Sequence, residues 1–206
     1  MQVIDKEVDT IKIIRQNNGI LRISQAQSLG IEPHKIYSLR DKGKLIAISR
    51  GLYRLADINV TENYDLVVVS KRIPQAIICL ISALSFHNLT TEIPHNVYLA
   101  LPGPGEIIAT PKDYQNPPIK VFRFSGKAFS EGIELYKEKK VTLKIYNPAK
   151  TIADCFKFRN RIGLDVAIEA LKFYRERKDF NVNLLSYYSK ICRVEKIIKP
   201  YIEAIL

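Results

Sequence analysis

Apolar residues recur at helical spacing through Val8, Ile11 and Ile14, with Ile13 on the flank, and predict a first helix over residues 5–17 that Asn17-Asn18-Gly19 stops. A short apolar stretch follows at 20–23. Ser24 is then placed to cap a second, very short helix over 25–29 that Gly30 closes. Glu32 offers the next cap, and Pro33 takes a first helical position where its missing N–H costs nothing. A third helix is therefore expected over 33–42, ended by Gly43. Residues 45–48 and 52–55 read as two strands joined by Ser49-Arg50-Gly51, a hairpin. The order helix, helix, turn, helix, hairpin is that of a winged helix-turn-helix.

A second region begins near Thr61. Residues 64–70 (YDLVVVS) suit a strand or a helix equally, whereas 75–89 read as one buried helix carrying Ile77, Ile78, Leu80, Ile81 and Leu84. Strands are expected at 97–101 and 119–124, with 102–105 (Pro-Gly-Pro-Gly) a loop between them. A further strand pair at 133–137 and 141–146 is joined by the basic turn Glu138-Lys139-Lys140. Asn147 then caps a helix with Pro148 first and Ile152, Cys155 and Phe156 inward, and helices at 164–177, 182–191 and 194–205 complete the chain. The expected fold class is α+β: a winged helix-turn-helix DNA-binding domain at 1–58, then a larger mixed α/β domain at 59–206, with strands at 97–146 and a helical part at 147–206.

Charge gives this outline a direction. The chain carries 32 Lys and Arg against 21 Asp and Glu, a net +11, which favours a polyanionic partner. The excess is +4 in residues 1–58, +2 in 59–156 and +5 in 157–206, so it gathers at the two ends. Cys79, Cys155 and Cys192 lie scattered in apolar stretches, without the spacing of a disulfide framework or a Cys-x-x-Cys pair, and fit a reducing cytoplasm. The first residues do not resemble a signal peptide, and the longest apolar run, 76–84, is far short of the ~20 residues that cross a bilayer. A cytoplasmic protein with no membrane association is expected.

On the third helix, Ile36 and Leu39 define the inward direction, which turns His34, Ser38 and Asp41 outward, flanked by Tyr37, Lys35 and Lys42. In a groove-reading helix the N-terminal residues approach the base edges. His34, Tyr37 and Ser38 are thus candidate base readers, and Lys35 and Lys42 candidate phosphate contacts. The hairpin adds Lys44, Arg50 and Arg54, with Arg50-Gly51 at its tip. The bland alternative is a solvated face of a packed helix.

The stretch ILRISQAQSLGIEPHKIYSLRDKGKLIAISRGLYRLAD resembles the winged-helix domain of the AbiEi-type antitoxins of bacterial abortive-infection systems, and YNPAKTIADCFKFRNRIGLDVAIEALKFYRE resembles their C-terminal antitoxin segment. The resemblance implies a transcriptional repressor that binds inverted repeats in its own promoter, a case of autoregulation. It also implies an antitoxin acting in phage defence against a nucleotidyltransferase toxin. Such pairs are classed as type IV, so no stable complex with the toxin is expected. Carried onto this chain, DNA contact falls on Lys35, Ser38, Lys44, Arg50 and Arg54. The candidate antitoxin residues are Lys150, Asp154, Lys157 and Arg159; no catalytic role, cofactor or metal is implied.

Lys150 and Asp154 stand four apart and can pair along one helix face, a contact worth only ~0.3–0.5 kcal/mol if exposed; Asp154, between Ala153 and Cys155, could instead be buried with a structural duty. Lys172, Arg175, Arg177, Lys178, Lys190, Arg193, Lys196 and Lys199 form either a second positive patch or solvated helix faces. Phosphate-loop, nucleophile-elbow and zinc-protease motifs are absent from the sequence, and His87 and His95 are isolated. The acids Glu131, Glu134 and Glu138 are the only grouping an enzyme could draw on. Two alternatives stay open: a stand-alone winged-helix regulator whose larger domain senses a ligand or mediates assembly, and a nucleic-acid-processing enzyme.

Overall fold

A computed structural model describes residues 2–58, 62–105, 108, 116–138 and 140–205, the first five of these by backbone alone. Thr61 and Lys139, named above at a boundary and in a turn, lie outside the described residues. The fold is mixed α/β and divides into two compact units, Met1–Pro74 with Ala109–Pro117 and Lys137–Thr142, and Gln75–Ile108 with Pro118–Tyr136 and Leu143–Leu206.

The first unit opens with α1 (Gln2–Gln16), β1 (Ile20–Arg22), α2 (Ile23–Ser28) and α3 (Pro33–Asp41), then the hairpin β2 (Leu45–Ser49) and β3 (Leu52–Leu55). The sheet order β1-β3-β2 places the short apolar stretch after α1 as a third strand, with Leu21 opposite Tyr53. Ile14, Leu21, Ala26, Ile36, Leu39 and Leu45 close one core between helices and sheet. Val8, expected inward, is 58% exposed. The inner arc of α1 runs instead through Thr10 and Ile14, and a residue two before Thr10 lies about 200° around the helix from it.

Neither expected cap on the short helices forms through its side chain. Ser24 lies inside α2, which starts at Ile23 because that residue's N–H already donates to the Gly51 carbonyl at 2.9 Å, tying the helix to the hairpin turn. Glu32 occupies the N-cap position of α3, but its carboxylate turns to His34 Nδ1 at 3.1 Å.

Residues 64–70 resolve as helix: α4 (Tyr64–Arg72) buries Val67, Val68 and Val69 in succession. It belongs to the first unit, which therefore runs to Pro74 rather than ending at residue 58. Lys71 Nζ donates to the carbonyls of Asn17, at 3.1 Å, and Ile20, while Arg22 donates to the carbonyls of Lys71 and Arg72 at 2.8–3.0 Å.

The second unit begins with a correction to the helix expected over 75–89. Ile77–Ile78 forms β4, Cys79 is extended and donates its N–H to the Tyr98 carbonyl, and only Leu80–Phe86 is helical, as α5. A continuous apolar run hides such a break, because a strand buried on both faces has the composition of a buried helix. β5 (Val97–Pro102), β6 (Ile119–Phe124), the short α6 (Lys127–Ser130), β7 (Ile133–Glu138) and β8 (Val141–Tyr146) follow, of which residues 137–142 count with the first unit. The sheet order is β6-β5-β4-β8-β7; β4 is antiparallel to β5 and parallel to β8, and β5 is parallel to β6.

Helices complete the unit: α7 (Pro148–Lys157), α8 (Arg159–Ile162), α9 (Leu164–Glu176), α10 (Val182–Ile191) and α11 (Glu195–Ile205). Asn147 caps α7 as expected, its side-chain oxygen accepting from the Lys150 N–H at 2.9 Å. Positions 149–156 of α7 are buried without a break, so this helix is enclosed on all sides. Ile152, Cys155 and Phe156 share its core with Tyr98, Phe122, Tyr146, Leu171 and Leu185.

Candidate nucleic-acid interface

Helix α3 stands on Ile36 and Leu39, which are 1% exposed, and this anchor fixes what its opposite side presents. His34 and Tyr37 are exposed; Lys35 and Ser38 are half-buried at the same face. Tyr37 is braced from the wing: its ring meets the buried Tyr53 of β3 edge-on, with centroids 6.5 Å apart, and Arg40 lies 5.4 Å over it. Such an edge-to-face pair limits the motion of a side chain that solvent would otherwise leave loose. Asp41, turned outward with them, is held by the Arg40 guanidinium at 2.8 Å. That contact raises the Arg40 pKa above its ordinary value.

The wing is short and fixed at its base. Arg50 is exposed at the turn, and Gly51 adopts a φ of +70° that side-chain-bearing residues avoid while its carbonyl accepts from Ile23. Arg54 is half-buried and donates to the Leu55 carbonyl at 3.1 Å, so it lies along the sheet and not at the tip.

Lys42 and Lys44 are exposed, yet both end on one carboxylate, Glu7 of α1, with Lys44 Nζ 3.4 Å from Oε2. Sequence reading passed over Glu7. At 35 and 37 residues from its partners, only its place on the α1 face turned toward α3 could have signalled it. Glu7, Thr10, Glu32, His34, Lys35, Ser38, Leu39 and Lys42 line a groove of about 380 Å³.

In the second unit, Lys150 and Asp154 cannot serve as contact residues. Both are 0% exposed, joined at 2.5 Å, with Cys192 Sγ donating to the other Asp154 oxygen at 3.1 Å. The Lys150 ammonium lies 4.1 Å from the Tyr146 ring centre. Burial drives the Asp154 carboxyl upward in pKa against the opposing pull of Lys150. Gly132 makes the room: with φ at +79°, a Cβ there would meet Lys150 Cγ at 2.7 Å. Lys157 is exposed, within 6 Å of the Phe124 and Phe158 ring centres, and Arg159 is half-buried and donates to the Phe156 carbonyl.

The acids that an enzyme reading would need are occupied separately. Glu131 accepts from Tyr187, Glu134 from Tyr136, and Glu138 Oε2 lies 3.5 Å from Asn63. His87 is buried with Nε2 2.8 Å from the Tyr146 carbonyl, and burial lowers its pKa; His95 is exposed. Among the described residues, no group of three or more His, Cys, Asp or Glu is arranged to hold a metal ion, and no helix is long and apolar enough to cross a membrane.

Residues 9–56, the segment from α1 through the hairpin, match the family described as transcriptional regulator, AbiEi antitoxin. The resemblance read from the sequence therefore holds over this segment, and that family is one of regulators. Among solved structures, the chain is similar to the crystal structure of the RV2827C protein from Mycobacterium tuberculosis. The TM-score is 0.54 and the identity 13%, over 94% of this chain and 79% of that one. At that identity the likeness concerns the fold. No curated protein matches the chain.

Proposed function

We propose that this protein is a DNA-binding autorepressor and antitoxin, whose first unit binds inverted repeats in its own promoter and whose second unit counteracts a nucleotidyltransferase toxin. The observation that carries the reading is the outward face of α3, His34, Lys35, Tyr37 and Ser38, beside an exposed Arg50 on the wing, within a segment that matches an antitoxin regulator family. His34 and Ser38 supply donors and acceptors for base edges, Tyr37 an amphipathic contact, and Lys35 and Arg50 charge for phosphates. Lys42, Lys44 and Arg54 are the further candidates for phosphate contact, Lys42 and Lys44 at the junction of α3 and the wing and Arg54 along the wing's second strand. For the antitoxin role of the second unit, exposed Lys157 and half-buried Arg159 are the remaining candidates.

Gel shift of the full chain with its own upstream DNA tests the repressor half. A preference over random duplex at moderate salt is expected; equal binding to both contradicts it. Co-expression with an adjacent nucleotidyltransferase tests the other half, which fails if growth inhibition is unrelieved.

A further inference from the structure

The two cations at the junction of α3 and the wing share one acid. Lys42 Nζ hydrogen-bonds Glu7 Oε1 and Lys44 Nζ approaches Oε2 at 3.4 Å. The lysine side chains are each 49% exposed and that of Glu7 is 24% exposed, so the cluster opens to solvent. Glu7 also lines the groove shared with His34, Lys35 and Ser38, which puts its carboxylate on the face proposed to meet duplex. Hydrogen bonds from the lysines hold that carboxyl below the usual carboxylate range, so it is ionised at neutral pH.

We infer that Glu7 is an internal competitor for DNA phosphate, occupying Lys42 and Lys44 in the free protein and weakening duplex binding until a phosphate takes its place. The inference rests on the reading of α3 and the wing as the duplex-binding surface. A lysine contributes to binding by displacing counterions from phosphate; one already neutralised by a fixed carboxylate contributes less, and the displaced carboxylate then repels the backbone. Because phosphates are alike in every sequence, Glu7 lowers affinity for operator and random duplex together and leaves the base readers alone.

The experiment measures binding of the full chain to its upstream DNA and to random duplex across a salt series. Glu7→Gln keeps the shape and hydrogen-bonding capacity and removes the charge; Glu7→Ala runs beside it, with melting curves for both. Tighter binding to both duplexes, about tenfold near 0.1 M salt, and a salt slope steeper by up to about two units are expected. The gain should vanish in a Lys42→Ala/Lys44→Ala background. Asp9→Asn, which removes a charge from an exposed position of the same helix, should change affinity threefold or less.

Unchanged or weaker binding by folded Glu7 variants overturns the inference, since Glu7 would then merely position the lysines. An equal gain from Asp9→Asn, or a gain that survives without the lysines, overturns it as well. Wild-type protein that binds no duplex removes the DNA reading itself, a result distinct from wild-type binding to which Glu7 is indifferent.

Discussion

Arg22 and Lys71 lock α4 to the start of the sheet by exchange: Arg22 donates to the Lys71 carbonyl at 2.8–3.0 Å, and Lys71 donates to the carbonyls of Asn17 and Ile20 just ahead of Arg22. Each side chain donates to backbone oxygens near the end of an element, Arg22 at the end of α4 and Lys71 around the turn from α1 into β1. The exchange makes α4 an integral part of the first unit.

Arg22→Met should therefore cost about 2 kcal/mol of stability, because two carbonyls lose a charged donor at once. Urea denaturation followed by circular dichroism measures it, and a change within ±0.5 kcal/mol would mean that α4 is held by its valines alone.

The same lock predicts a pH dependence. Burial, with the nearby Arg22 charge, lowers the Lys71 pKa from 10.5 to about 8. Between about pH 8 and 10.5 the folded chain then binds fewer protons at this site than the unfolded chain, so stability from Lys71 rises with pH across that window. Subtracting the pH profile of Lys71→Met from that of the wild type isolates the slope; a flat or falling difference contradicts it.

In the second unit, Lys150→Met alone should destabilise by about 3–5 kcal/mol, since it abandons a buried carboxylate. Adding Asp154→Leu should recover most of that loss, which an exposed i,i+4 pair would not do. Gly132→Ala should also destabilise, by pushing a methyl group against the Lys150 stem. Denaturation midpoints across this set test the arrangement.

For DNA binding, Lys35→Ala and Arg50→Ala should each weaken operator and random duplex alike and lower the salt slope by about one unit. His34→Ala and Ser38→Ala should instead narrow the ratio between the two duplexes. Fluorescence anisotropy on both DNAs separates these classes, and a uniform loss from His34→Ala would remove it from the base readers.

Much of the surface of α3 was legible in the sequence because its limits are local: Pro33 can only begin a helix, Gly43 ends one, and Ile36 with Leu39 sets the rotation. The hairpin was legible for the same reason, and so was the Asn147 cap. What escaped depends on distant partners. YDLVVVS shows neither a helical nor a strand period, because Val67, Val68 and Val69 are all buried. The break at Cys79 depends on Tyr98, whose carbonyl takes its N–H. The spacing of Lys150 and Asp154 announced their pairing, but their enclosure follows from α7 being surrounded. Glu7 went unseen since its partners lie on other elements.

The extension of the first unit to Pro74 separates two boundaries that are easily equated. The segment shared with known regulators stops at residue 56, before α4 begins. A graft that transplanted only the shared segment would leave the carbonyls of Asn17 and Ile20 without Lys71 and Arg22 without its acceptors. Exchanging this unit between such proteins would therefore have to carry α4 along, so the transferable piece is longer than its kinship suggests.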